Sequence, residues 1–173
     1  MLAEELSVVK TKENKNTPLG ISRTILSELT PDTDIFVVEM GAYTRGDIRD
    51  LCDIAQPDIS ILIGINEAHL ERFGSIENTI AAKFEIVEFA KPDAHVIINA
   101  DDERTLEHAD DFIKKNQELT YFSAHNNKRS PYRAVNKHFH QDGSGISFEL
   151  MRGSENIGYF EVPRESTLVE LGE

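Results

Sequence analysis

The chain has 173 residues, 39% hydrophobic and 28% charged, enough apolar material for one domain with a core, and this excludes wholesale disorder. Its 18 basic and 31 acidic residues leave a net charge of −13, the wrong balance for a phosphate-neutralising nucleic-acid surface. Anionic ligands remain open, because they need only a local basic or metal-bearing site.

Met1–Leu6 reads as the tail of a helix, since no capping residue precedes it, so the chain is expected to begin inside a domain. Its acids also lack the basic region of a signal peptide. No later run approaches the roughly 18 apolar residues of a membrane span. The single Cys52 permits no internal disulfide, and a cytoplasmic location is expected.

Strands are expected at Ser7–Thr11, Asp34–Met40, Asp58–Ile65, Ala94–Asn99 and Leu119–Ser123. Their apolar runs are continuous, as in a parallel sheet covered on both faces. Helices are expected between them. Thr17 caps the first and Pro18 opens it, and Arg45–Ala55, Ser75–Ala90 and Glu103–Asn116 follow. This alternation predicts an α/β fold: a mostly parallel sheet flanked by helices. From about residue 130 the pattern changes. Ile146, Phe148 and Leu150 alternate with polar residues, and Asp142-Gly143 and Arg152-Gly153 signal turns, so a small antiparallel β meander is expected there. The reading is an α/β body over 1–128 and a meander over 129–165.

Ligands bind such sheets beyond the carboxyl ends of the strands. Three of these strands end in polar residues: Glu39 after the second, Asn66 to His69 after the third, and Asn99 to Asp102 after the fourth. One reading is a shared site; the other is that Glu39 and Asp102 only begin loops and cap helices. In the Ser75–Ala90 helix, Ile76, Ile80, Phe84, Val87 and Ala90 gather on one face, with Glu77, Glu85 and Glu88 expected opposite. Lys83 falls within the apolar stripe. It must snorkel, pair with an acid or be chemically altered. Lys137-His138-Phe139-His140 reads as an exposed strand rather than a metal pair, and no Cys/His spacing points to zinc.

Five ordered segments carry a family resemblance over roughly residues 1–165. Val37–Ala42 (VVEMGA), Ala68–Ser75 (AHLERFGS), Ala82–Ile86 (AKFEI), Asn99–Asp102 (NADD) and Thr11–Asn16 (TKENKN) are similar to motifs of the Mur ligases, the ATP-dependent enzymes of peptidoglycan precursor synthesis. The resemblance implies a P-loop NTPase-like central domain, with ATP and magnesium as cofactors. It implies that Glu39 and His69 hold magnesium, that Lys83 is carbamylated into a further magnesium ligand, and that all three serve catalysis. It implies that Asn99 and Asp102 contact the nucleotide, and that Thr11, Asn14 and Asn16 face the UDP-substrate. The implied reaction phosphorylates a carboxylate and then forms an amide. The motifs are most similar to members that join D-alanyl-D-alanine to a UDP-N-acetylmuramoyl-peptide. Folylpolyglutamate synthase and cyanophycin synthetase share the architecture, and a non-catalytic binding module is the other reading. Two departures stand out. Ile63–His69 moves the Asn of the family loop and lacks its Pro. The G-x-x-x-x-G-K-[ST] phosphate loop is missing, along with its strand, the N-terminal substrate domain and the C-terminal domain.

Overall fold

The structure, a computed structural model, describes residues 5–12, 15–66 and 70–164. Asn14, His69, most of the Met1–Leu6 segment and the last residues from 165 onward lie outside the described residues.

Strand β1 (Val8–Lys10) pairs in parallel with β2 (Ile35–Val37), with Val8 opposite Ile35. Between them runs helix α1 (Pro18–Glu28), which begins as its sequence dictates: Thr17 Oγ1 accepts from the Gly20 amide, and Pro18 sits at the first helical position. Helix α2 (Asp47–Ala55) follows β2. Strand β3 (Ile59–Leu62) opens a second sheet, in the order β3-β4-β5-β6-β7-β8. A single helical turn, α3 (Leu70–Phe73), leads to α4 (Ile76–Glu88), which Ser75 caps. Then come β4 (His95–Asn99), α5 (Glu103–Phe112) and β5 (Glu118–Ser123). Strands β3, β4, β5 and β6 (Tyr132–Phe139) run parallel; β7 (Gly145–Arg152) and β8 (Glu155–Pro163) complete an antiparallel meander. The meander is joined edge to edge through β5 and β6, so it extends the sheet.

The larger core lies on one face of the second sheet. Leu62, Val96 and Ile98 from the strands meet Ile80, Phe84 and Val87 of α4 and Ala109 of α5. Among the described residues, the other face of β3 and the residue after it is uncovered: Ile59, Ile61 and Ile63 are 59%, 51% and 56% exposed. Among the described residues, no strand pairing joins β2 to β3. The two sheets are instead bridged by helices, with α1 against α2, α2 against α4, and α4 against β3. A second core (Ala42, Ile48, Cys52, Phe73 and Ala82) fills the seam between α2, α3 and α4.

Two expectations change. Glu85 does not lie on a solvated face; it is 5% exposed, because α2 packs against that side of α4 and presents polar amides to it. The helix expected to reach Asn116 stops at Phe112, where Ile113 turns extended and packs against the larger core. The Gln117 side chain then closes the turn, accepting from Lys114 N and donating to the Val87 carbonyl.

Candidate active site

Thr11, Asn16 and Glu39 meet where β1 and β2 end. The Thr11 amide donates to the Val37 carbonyl, and its hydroxyl accepts from the Glu39 amide at 3.2 Å. The Asn16 side-chain amide reaches Glu39 Oε1 at 3.4 Å. Gly41 leaves room for this approach: a Cβ there would stand a tight 3.0 Å from Asn16 Nδ2. Glu39 itself is exposed and keeps oxygen lone pairs for a ligand. A cleft of about 200 Å³ opens beside the group, lined in part by Asn16, Thr17, Gly41, Tyr43 and Asp47. Asp47 holds its rim. Burial pushes the Asp47 carboxyl up, but hydrogen bonds from Tyr43 N, Thr44 N and the Thr44 hydroxyl outweigh this and leave it below 3.8.

A second group forms where β3 and β4 end. Asp102 caps α5, its Oδ1 accepting from Thr105 N at 2.8 Å, while Oδ2 accepts from Ile65 N at 3.0 Å. The Asn99 side chain donates to the Ile63 carbonyl at 2.8 Å and accepts from Asp101 N at 2.9 Å. Both residues are thus tied to backbone at the ends of their strands. Asp101, which the sequence reading did not single out, ties this loop to β5. It accepts from the Ser123 hydroxyl and from the amides of Ala124 and His125. Burial raises its carboxyl, and these hydrogen bonds with the nearby His125 more than offset the rise.

Lys83 projects from the middle of α4 and is half-buried. Burial lowers its amine below the ordinary 10.5. Among the described residues no carboxylate pairs with it, which sets it apart from Lys12 with Glu28 and Lys91 with Asp58. Among the described residues, which leave out His69, no three His, Cys, Asp or Glu side chains gather in one place.

Contacts beyond those read from the sequence link the loops. The Arg72 guanidinium stacks over the Tyr43 ring at 4.6 Å, joining α3 to the loop after Glu39. Glu85 joins α4 to the start of α2. Gly46 precedes α2 with no side chain to cap it, which leaves amides there for another group to satisfy, and Glu85 is that group.

The fold is a parallel α/β sheet flanked by helices, with Glu39, Asn99 and Asp102 at its strand ends and Lys83 on the neighbouring helix α4. The family model of the Mur ligase middle domain matches residues 1–163, and the chain belongs to that family. The UDP-N-acetylmuramoyl-tripeptide–D-alanyl-D-alanine ligase of Buchnera aphidicola is 31% identical over 157 residues, 91% of this chain and 34% of that protein. The Haemophilus influenzae protein of the same name is 31% identical over 173 residues, 99% of this chain and 34% of its own. The crystal structure of MurF ligase from Thermotoga maritima in complex with ADP matches with a TM-score of 0.75 at 28% identity, over 94% of this chain and 35% of that one. The chain therefore spans about a third of the length of the curated relatives it matches. No helix among the described residues is long and apolar enough to cross a membrane.

Proposed function

We propose that this chain is the nucleotide-binding middle part of an ATP-dependent ligase that joins D-alanyl-D-alanine to a UDP-N-acetylmuramoyl-tripeptide. The observation that carries the reading is Lys83. An ammonium partly withdrawn from water, with no counter-charge among the described residues, is costly, and burial favours the neutral amine. That amine can attack carbon dioxide: a nitrogen–carbon bond forms, one proton leaves, and an anionic carbamate replaces a cation. The half-buried setting, with no carboxylate pairing the amine among the described residues, fits this exchange, and the open oxygens of Glu39 fit a hard cation. Magnesium would then be held by Glu39, His69 and the Lys83 carbamate, where it would supply positive charge facing the phosphates.

The remaining roles follow from the chain's own residues. Thr11 holds the Glu39 backbone amide and Asn16 holds the Glu39 carboxylate; Asn16 also lines the cleft that would take the UDP-substrate, for which Thr11 and the sequence neighbour Asn14 would be further contacts. Asn99 and Asp102 shape the loop that would border the nucleotide. We read residues 1–128 and 129–165 as body and meander of one middle domain. The phosphate-cradling loop and the site for the incoming amine would come from the rest of the relatives' length. Such a site works mainly by alignment and charge stabilisation. Lys83→Ala in the full-length protein tests the reading. Ligation should fall by at least about a hundredfold, as for loss of a transition-state charge partner. Ligation at the wild-type rate would refute the carbamate role.

A further inference from the structure

Glu85 follows Lys83 by two positions on α4, so at about 100° per residue the two side chains leave the helix on nearly opposite sides. Glu85 is 5% exposed, yet both its oxygens are occupied. Oε1 accepts from Gly46 N at 2.6 Å, and Oε2 accepts from Arg49 N at 3.1 Å. These are amides at the start of α2, whose own cap position is Gly46, with φ +98° and no side-chain bond. A helix start leaves unsatisfied amides and favours negative charge. Here the acid comes from another helix. The segment between Glu39 and Gly46 is held at the same seam, where Met40 and Ala42 pack with Ile48, Cys52, Ala82 and Ile86.

We infer that Glu85 is a positioning residue: by clamping the start of α2 to α4 it fixes the loop that carries Glu39 and the rotation of the helix that carries Lys83. One carboxylate thus sets the mutual geometry of two side chains it does not touch. The inference rests on the reading above of Glu39 and Lys83 as magnesium ligands.

The test uses the full-length protein with Glu85→Gln and Glu85→Ala. Glutamine keeps the shape but offers one acceptor, and its NH2 faces the other amide proton. The half-saturating magnesium concentration for ligation should rise about tenfold in Glu85→Gln, the scale of losing an outer-shell support, and further in Glu85→Ala. Amide hydrogen exchange across 41–50 should speed up in both. A purely structural role would lower the melting temperature and the fraction of active enzyme without moving the magnesium dependence, so wild-type magnesium dependence in Glu85→Gln overturns the inference. Unchanged exchange across 41–50 overturns it too. If the wild-type protein performs no ligation, the ligand reading falls and takes the magnesium arm with it, while the exchange arm still judges the clamp alone.

Discussion

Replacing Asp102 by Ala removes two hydrogen bonds in one step, and their cost can be worked from the geometry. Oδ1 caps α5 through Thr105 N at 2.8 Å, and losing such a cap costs about 1 kcal/mol. Oδ2 satisfies the amide of Ile65, a residue only 2% exposed, and a buried amide left unpaired costs about 1–3 kcal/mol. The total is about 2–4 kcal/mol. With a urea slope of about 2 kcal/mol per molar, the unfolding midpoint of the chain should fall by about 1–2 M. Asp102→Asn keeps one acceptor and should fall by about half as much, since its NH2 must oppose one of the two amides. Urea titration followed by circular dichroism gives the midpoints, and calorimetry on the full-length protein gives ATP affinity. A wild-type midpoint in Asp102→Ala, together with a loss of ATP affinity, would refute the reasoning, because the carboxylate would then serve the nucleotide and not the loop.

Other outcomes follow from the same contacts. Asp101 is depressed in the folded state, so its stabilisation is full above 3.8 and is lost as pH falls through its lower folded value. Asp101→Asn should therefore flatten the acid limb of the stability–pH curve, and a limb of unchanged slope would remove Asp101 from that role. The exposed Ile59, Ile61 and Ile63 should drive association of the isolated chain. Ile61→Lys should shift its light-scattering mass towards a monomer, and a wild-type chain already monodisperse as a monomer contradicts this.

The strands were legible because β2, β3 and β4 are short apolar runs ended by polar residues, and the α1 start was legible because Thr17 and Pro18 are local signals. The grouping of Thr11, Asn16 and Glu39 was not legible: the resemblance gave Glu39 to magnesium and Thr11 and Asn16 to the UDP-substrate, and the Asn16–Glu39 contact spans residues far apart in the chain. Glu85 was misplaced for a physical reason. A single apolar stripe describes a helix packed on one side, whereas α4 is packed on two: Ile80, Phe84 and Val87 face the sheet, while Ala82 and Ile86 face α2. A hydrophobic period cannot report a polar contact across that second seam. Asp102 was legible as a cap and also as a ligand; only the position of the Ile65 amide adds a second structural duty. The end of α5 was missed because Ile113 satisfies helix periodicity and core packing equally well.

The most direct measurement is ligation by the full-length protein. Incubated with ATP, magnesium, D-alanyl-D-alanine and UDP-N-acetylmuramoyl-tripeptide, it should yield the UDP-N-acetylmuramoyl-pentapeptide by mass, with one ADP per amide formed. It should lose that product when Lys83 is replaced by Ala. Retention of full-rate ligation by the Lys83→Ala protein, or the absence of any pentapeptide from the wild-type protein under saturating substrates, would contradict the account.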